Sequence, residues 1–254
     1  MRTLYALLIL FSLVYIQCKP GSPSTEAIDK EINPPASGFN IEGSDASAIA
    51  LADKVMAAMG GRSAYDSTRY IKWNFFNSRR HIWDKSTGDL VIEGIRDSFL
   101  VKMNIHSMTG EVNYHGIQLS KSDSLDTYIK KGKDMWINDA YWLVMPFKLK
   151  DSGVTLKHVG SDTLVGGKEA EVLSLTFDNV GKTPDNMYHV YVDKEDNLIK
   201  QWSFYTTASD STARFTTPWV DYKPHGTILL SGDRGPTYKI TEIAVGDSLS
   251  TYFK

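Results

Sequence analysis

Histidine and cysteine are the residue types that most often catalyse reactions or bind metals, and in this sequence neither forms a recognisable catalytic set. The six histidines, at positions 81, 106, 115, 158, 189 and 225, stand singly and without H-E-x-x-H spacing. A metal site would have to be assembled from distant strands, for example from His81 with Asp84. The chain also has no G-x-S-x-G string, no G-x-x-x-x-G-K-[ST] loop and no G-x-G-x-x-G fingerprint. The sequence therefore predicts no catalytic residue, no metal ion and no cofactor.

Paired carboxylates are the other arrangement that does chemistry, and glycosidases place two of them about 5–10 Å apart in a cleft. The chain has 30 Asp and Glu residues, so candidate pairs exist in any fold and their presence decides nothing. Asp84, Glu93 and Asp233 are the three to inspect first. We expect each of them to be solvated or to make a turn or a salt bridge.

Cys18, the single cysteine, directly follows the unbroken apolar run Leu4–Ile16, and Arg2 is the only charge before it. This run is too short to cross a bilayer core, which needs about 20 helical residues, and has the length of a signal-peptide hydrophobic region. Cys18 thus resembles the lipidated cysteine of bacterial lipoproteins, although residues 15–17 depart from the usual pattern before it. We expect a signal peptide at 1–17 and an anchor at Cys18; ordinary secretion with an incidental cysteine is the alternative.

Residues 18–44 are rich in Pro, Ser, Gly and Glu, and that composition predicts a flexible linker after the anchor. The alternative is an arm packed along the folded part through its few apolar residues. The remainder, 45–254, is predicted to be a single domain, with 42% apolar residues across the chain to build its core. With a net charge of -2, the chain lacks the excess of positive charge that is typical of proteins that bind nucleic acid.

The first regular element is a helix that begins near Ser44 or Asp45 and ends at Gly60-Gly61. Apolar residues at three- and four-residue spacing predict one face packed on a sheet: Ile49, Ala52, Val55, Met56 and Met59. From Thr68 onwards the period changes to two, and β-rich runs are separated by hairpin signals, of which Gly166-Gly167 is the clearest. About nine to eleven strands predict a mainly β domain whose wide antiparallel meander curls.

One segment interrupts the strands. Asp123–Asp139 looks helical despite Gly132, and Tyr141–Phe147 (YWLVMPF) follows as a very apolar run. Pro146 predicts that this run is an edge strand or a covering loop, because proline cannot donate within a sheet. The run could plug the mouth of a curved sheet, or it could be plain core.

Four stretches resemble the outer-membrane lipoprotein carrier (LolA/LolB-like) superfamily of bacterial envelope proteins: GGRSAYDSTRYIKWNFFNSRRHIWDKSTGDL (Gly60–Leu90), NDAYWLVMPFKLKDSGV (Asn138–Val154), YVDKEDNLIKQWSFY (Tyr191–Tyr205) and DYKPHGTILLSGDRG (Asp221–Gly235). The resemblance implies an open half-barrel, in which a curved antiparallel sheet has helices packed on its concave face. It also implies non-covalent binding of an acyl chain, a lipid or a lipoprotein. Cys18 would place the protein with the anchored members, attached to the outer membrane and facing the periplasm. We expect a monomer.

No family motif identifies the ligand site, so its candidates come from apolarity and strand alternation alone. We interpret part of the apolar segment as a plug that competes with the ligand: Trp136, Trp142, Leu143, Val144, Met145 and Phe147. Aromatic residues of the strands are the candidate wall: Trp73, Phe75, Trp83, Trp202 and Phe204. With 11% aromatic residues in the chain, packing of a wide core would account for the same pattern.

Two other classes of protein stay open. An envelope interaction module would have a filled core and an exposed apolar or aromatic patch. An envelope hydrolase would have a cleft with converging carboxylates or histidines of perturbed pKa.

Overall fold

The computed structural model describes residues 33–178 and 185–254. The predicted signal peptide at 1–17, the predicted lipidation site Cys18 and the first part of the predicted linker therefore lie outside the described residues.

The described chain begins its regular structure with helices and continues mostly with strands. The helices are α1 (Ala46–Ala58), α2 (Arg62–Ser67) and α3 (Ser122–Val144), with 3-10 turns at Met145–Lys148 and Asp247–Phe253. The strands are β1 (Tyr70–Phe75), β2 (Arg79–Asp84), β3 (Asp89–Gly94), β4 (Phe99–Asn104), β5 (Thr109–Tyr114), β6 (Ile117–Gln118), β7 (Val154–Thr163), β8 (Glu169–Phe177), β9 (Met187–Asp193), β10 (Ile199–Tyr205), β11 (Phe215–Pro218), β12 (Val220–His225), β13 (Ile228–Asp233) and β14 (Ile240–Val245).

The strands pair antiparallel in the orders β14-β1-β2-β3-β4-β5-β6, β11-β10-β9-β8-β7 and β12-β13. The β12-β13 hairpin joins the two larger sheets. On one side, Asp233 of β13 forms an antiparallel bridge with Lys239, the residue before β14. On the other side, the N–H of Trp219, the residue before β12, donates to the carbonyl of Lys200 in β10 at 2.7 Å. The sheets thus form an open, curved surface with helices packed against it, as the sequence predicts.

Helix α3 lies across two apolar clusters on the inner side of this surface. The larger cluster unites α1 and the C-terminal half of α3, which contributes Leu143, with strands from both large sheets. The smaller cluster joins the N-terminal half of α3, through Ile129, to β3, β4 and β5. Within the two described ranges, no helix is both long enough and apolar enough to cross a membrane.

Helix α1 confirms the predicted first element and its buried stripe, since Ala52, Val55 and Met56 are all buried. Its C-terminal end is fixed by close backbone contact with β13. The carbonyl of Met59 accepts a hydrogen bond from the N–H of Leu229 at 2.9 Å. Gly60 follows with φ of +107°, and a Cβ there would lie 2.3 Å from the carbonyl oxygen of Thr227. Only glycine fits this position without displacement of the strand.

Residues 33–44, the part of the predicted linker that the structure describes, are an arm packed on the domain. The N–H of Ala36 donates to the carbonyl of Lys150 at 2.9 Å, and that of Asn40 donates to Val154 at 3.1 Å. Phe39 is buried in the larger cluster, whereas Ile41 is 56% exposed. Over these residues the structure matches the packed-arm alternative.

The prediction of an edge strand or loop for Tyr141–Phe147 is wrong. Helix α3 continues to Val144, and Met145–Lys148 forms a 3-10 turn. Pro146 lies in the first turn of that 3-10 segment, where its missing N–H has no partner to lose. Gly132 is tolerated inside α3 because the helix passes close to β4: a Cβ there would lie 2.9 Å from Sδ of Met103.

Candidate functional site

The C-terminal half of α3 forms one wall of an apolar cavity. Ile137, Tyr141 and Val144 lie at i, i+4 and i+7, so they share one face of the helix. The cavity has a volume of about 260 Å³. Its other walls come from β2, from the loop after the 3-10 turn and from the ends of β7 and β8. The lining residues are Trp83, Trp136, Ile137, Ala140, Tyr141, Val144, Lys148, Asp151, Ser152, Val154 and Phe177.

Asp139, on the same stretch of α3, fixes the helix to strand β2. Its carboxylate is fully buried and accepts two hydrogen bonds from the guanidinium of Arg79, at 2.5 and 2.7 Å. His81 Nε2 lies 2.6 Å from Oδ2 of the same carboxylate. Two-point pairing of Arg with a carboxylate gives both strength and a defined orientation. The pair therefore holds the rotation of α3, and with it the face that lines the cavity.

The protonation states in this cluster follow from burial and pairing. Burial lowers the pKa of His81, and the hydrogen bond and charge of Asp139 offset this only in part. Burial alone would raise the pKa of Asp139, but the hydrogen bonds from His81 and Arg79 outweigh it and hold that pKa below its ordinary value. His81 is accordingly a neutral imidazole that donates from Nε2, and its ring stacks on Trp73 with centroids 4.6 Å apart.

Arg234 fixes the end of α3. Its guanidinium is buried and lies 3.5 Å from the ring centroid of Trp219. Its Nη2 donates to the carbonyl of Trp142 at 2.7 Å and to that of Ser231 at 3.0 Å. The last carbonyls of a helix have no partner within the helix. Arg234 therefore supplies a donor to the last turn of α3 and ties that turn to β13.

Three residues that line the cavity have buried polar atoms without a hydrogen-bond partner: Nε1 of Trp83, Nε1 of Trp136 and the hydroxyl of Tyr141. The two indoles pack edge to face, with centroids 5.1 Å apart and an interplanar angle of 70°. The mouth carries an ion pair between Lys148 and Asp151. The cavity lining is thus mainly apolar, as is usual for a ligand pocket, and these three polar atoms are out of reach of solvent.

The predicted site residues divide among three places, and only Trp83, Trp136 and Val144 line the cavity. Leu143, Met145 and Phe147, expected in the plug, are no more than 1% exposed and belong to the core. Phe147 stacks on Tyr65 with centroids 4.2 Å apart. Trp73 is also fully buried.

The other predicted aromatic residues, Phe75, Trp142, Trp202 and Phe204, meet in a second group. Phe76, Phe215 and Tyr238 complete this group, which we call the aromatic cluster. Trp142 is central, with its ring centroid 4.7 Å from Trp202 and 5.2 Å from Phe76. Phe215 is 37% exposed and Tyr238 46% exposed, so one side of the cluster faces solvent.

Sequence reasoning missed Ile137, Tyr141 and Phe177 as cavity residues. The spacing of 137, 141 and 144 is the available signal, because it marks one face of a helix. The prediction of an edge strand or a covering loop for Tyr141–Phe147 is incompatible with this helical spacing. No sequence signal pairs Phe177 with that helix, since the contact depends on how the sheet curves.

The polar candidates have structural partners. His81 pairs with Asp139 and not with Asp84, which instead accepts from Arg69 at 2.8 Å and from the N–H of Ser86 at 2.9 Å. As expected, the other two carboxylates also make salt bridges: Glu93 pairs with Arg80, and Asp233 with Lys239 at 2.6 Å.

No protein-family model and no curated protein matches the chain. Among solved structures, the chain is similar to a DUF1329 family protein from Desulfovibrio piger, with 14% identity, a TM-score of 0.43, and coverage of 82% of this chain and 97% of that one. It is also similar to a LolA superfamily protein from Nitrosomonas europaea, with 10% identity, a TM-score of 0.39, and coverage of 80% and 97%.

A third similarity is to an outer membrane lipoprotein-sorting protein domain from Vibrio parahaemolyticus, described as putative, with 10% identity and a TM-score of 0.36. It covers 79% of this chain and 91% of that one. These structures accord with the resemblance found in the sequence.

Proposed function

We propose that this chain is a lipid-anchored protein of the cell envelope that binds an acyl chain, a lipid or a lipoprotein without catalysis, as a monomer. The cavity beside α3 is the single observation that carries the proposal. An engineered apolar cavity of about 150 Å³ is enough to bind benzene, and this one has about 260 Å³. Its aromatic and aliphatic lining would hold a segment of hydrocarbon chain, at about 0.8 kcal/mol for each buried methylene.

The contacts that hold α3 in place support a route in which the ligand enters through the open end of the cavity and α3 is not displaced. Breaking a buried ion pair such as Arg79–Asp139 costs about 3–5 kcal/mol, and Arg234 holds the same half of the helix. The Lys148–Asp151 pair and Ser152 lie at the open end of the cavity. The ligand would enter there, with its polar end in water and its apolar chain toward Trp83 and Trp136.

The predicted anchor supplies the location. A signal peptide at 1–17 followed by a lipidated Cys18 would hold the protein at a membrane, and more than one acyl chain is needed to hold it stably. The acidic and basic residues nearly balance, at 30 against 28. This supports a membrane attachment made by lipid and not by surface charge.

The test is native mass spectrometry of the protein purified gently from the cells that make it, with lipid extraction of the same sample. We expect a stoichiometric acyl-chain or lipid adduct on the folded protein, and a lipid-modified Cys18 in its N-terminal peptide. An unliganded mass that persists after incubation with envelope lipid extract would contradict the binding proposal.

The aromatic cluster supports a second candidate, the envelope interaction module. Phe215 and Tyr238 expose apolar surface beside Trp142, and an exposed aromatic patch is typical of a protein contact. Replacement of both by Ser would abolish a protein contact there and leave lipid binding in the cavity unchanged. Measuring partner binding and lipid binding in this double variant therefore separates the two candidate functions.

A further inference from the structure

We propose that a polar cleft on the five-stranded sheet binds a saccharide. The cleft has a volume of about 610 Å³ and lies between the tip of the β7-β8 hairpin and strands β10 and β11. It shares no lining residue with the apolar cavity beside α3. This inference therefore goes beyond the proposed function and does not depend on it.

The hairpin tip is held over one face of the sheet. The N–H of Val165 donates to Oε1 of Gln201 in β10 at 3.0 Å, although β8 and β9 lie between β7 and β10 in the sheet. Leu164 packs in a small apolar cluster with Ala170 of β8 and Tyr191 of β9. The tip thus forms one wall of the cleft, and β10 and β11 form the other.

Two buried side chains each present a free polar atom to the cleft. Asp193 is 3% exposed, Gln201 is 7% exposed, and both line it. Oδ1 of Asp193 accepts from the N–H of Glu195 at 2.8 Å, whereas Oδ2 has no hydrogen bond among the described residues and lies 3.9 Å from Nζ of Lys168. Gln201 accepts from Val165 with Oε1, and the described residues leave its Nε2 unpaired. Neither free atom is sealed from solvent, so the surface that each keeps opens on the cleft.

The two free atoms lie on the same face of the sheet, within reach of one ligand. Gln201 pairs with Tyr191 across β9 and β10, and Asp193 follows Tyr191 by two residues. Side chains two residues apart on a strand point to the same face. Such diagonal cross-strand neighbours lie about 7–8 Å apart, a distance that two hydroxyl groups of one disaccharide can span.

This pair of groups selects a ligand that both donates and accepts hydrogen bonds. The carboxylate of Asp193 only accepts, and the free NH₂ of Gln201 only donates. A ligand anion would have no donor for Asp193, and an ammonium group would have no acceptor for Gln201. A hydroxyl group does both, so a ligand with several hydroxyl groups satisfies both side chains without bringing a charge into the cleft.

The other residues of the cleft fit the same class of ligand. Lys168 is paired with Glu195 at 2.5 Å and Lys200 with Asp196 at 2.5 Å, so each ammonium already has a carboxylate partner. Within residues 33–178 and 185–254, no three His, Cys, Asp or Glu side chains are placed to hold a metal ion. Apolar side chains also line the cleft: Leu164, Pro218 and Val220. A saccharide, with hydroxyl groups at its edges and C–H groups on its faces, matches both kinds of surface.

The experiment observes the side-chain amide of Gln201 by heteronuclear NMR of the full chain. The probes are maltose, lactose and N,N′-diacetylchitobiose, each added up to about 10 mM, which reveals even a Kd of about 1 mM. We expect at least one disaccharide to shift the two Gln201 N–H signals in a saturable way. Putrescine, a diamine, and succinate, a dicarboxylate, should leave these signals unchanged, because neither can satisfy both side chains.

Two isosteric variants each remove one contact to the ligand and keep one contact within the fold. Gln201→Glu retains an oxygen for the N–H of Val165 and loses the free NH₂. Asp193→Asn retains an oxygen for the N–H of Glu195 and replaces the free oxygen by NH₂. We expect each to weaken saccharide binding about tenfold, which is the typical loss of one hydrogen bond. The backbone N–H of Val165 reports binding in both variants. Gln118→Glu, on exposed β6, is the matched control and should bind like wild type.

Three results would overturn the proposal. In the first, none of the three disaccharides shifts the Gln201 signals. In the second, wild type and both variants bind the sugar equally well, which would place the sugar elsewhere on the protein. In the third, putrescine shifts the signals and the disaccharides do not, so the cleft binds cations. If Gln201→Glu releases the hairpin tip, the Val165 signal moves in the free variant, and Asp193→Asn, which leaves that contact intact, decides the test. None of these results bears on lipid binding in the cavity beside α3.

Discussion

Asp139 shows how one buried carboxylate sets the geometry of the candidate site. It lies on α3 between two cavity residues, Ile137 and Tyr141, and is bound from the strand side by Arg79 and His81. The charge of Asp139 is balanced by Arg79, so His81 need not be protonated. Because burial lowers the pKa of His81, this cluster makes the fold sensitive to acid.

The stability of the domain should therefore fall between pH 7 and pH 5. Below pH 6.5, the ordinary histidine pKa, His81 is protonated in the unfolded chain but stays neutral in the folded protein, where its pKa is lower. One such proton changes the free energy of unfolding by at most about 1.4 kcal/mol per pH unit. Asp139 lowers the stability only in stronger acid. Because its pKa is lowered in the folded protein, its stabilising contribution is lost only as the pH falls below 3.8.

The measurement is the urea midpoint against pH for wild type and His81→Gln. Burial also lowers the pKa values of His189 and His225, which contribute in the same direction. The informative quantity is therefore the difference between the two curves, and the slope should be smaller for His81→Gln. Exposed His106→Gln is the control and should follow wild type. Identical slopes for wild type and His81→Gln would show that His81 is not the group responsible.

At the scale of elements, α3 is tied to the sheets at several points along its length. Asp139 ties it to β2, Arg234 ties its last turn to β13, and Gly132 lets it approach β4. The helix thus bridges the two clusters of the core. Opening the cavity by lifting α3 would break these contacts together.

The helix tie can be tested with Arg79→Met and with the double variant Arg79→Met/Asp139→Leu. The single variant leaves a fully buried carboxylate without its cation, so we expect a loss of about 3–5 kcal/mol in the free energy of unfolding. The double variant removes the carboxylate as well and should recover most of that loss. Urea denaturation measures both. A double variant as unstable as the single one would mean that shape, and not the unpaired charge, determines the cost.

Elements with a local signal could be predicted from the sequence, and those that depend on distant partners could not. The Gly166-Gly167 hairpin and the end of α1 before Gly60 carry glycines at positive φ, a conformation that glycine adopts readily and that its presence in the sequence signals. By contrast, His81 and Asp139 are 58 residues apart in the chain, and no spacing rule pairs them. The same limit applies to the cavity: alternation shows which residues share a face, but not which face the curved sheet encloses.

At the scale of the whole molecule, the cavity is lined by residues of both large sheets. Trp83 comes from the seven-stranded sheet, Val154 and Phe177 come from the five-stranded sheet, and α3 lies between them. A ligand in this position contacts both sheets at once. It should therefore stabilise the whole domain, by about 2.7 kcal/mol at a concentration one hundred times its Kd.

Filling the cavity with a protein side chain should replace the ligand. Ala140 is buried on the cavity face of α3, and Ala140→Leu would place a larger aliphatic group in the space of about 260 Å³. We expect the free variant to be more stable by about 0.5–2 kcal/mol, the usual gain from filling a cavity. The rise in Tm that added lipid produces in wild type should disappear, because the ligand and the leucine compete for one volume. Ala57→Leu, on the exposed face of α1, is the matched control and should leave both quantities unchanged.

Lipid binding by a stable Ala140→Leu variant would exclude the cavity as the binding site and favour the aromatic cluster. A loss of stability in that variant would instead mean that the added leucine clashes with the walls of the cavity.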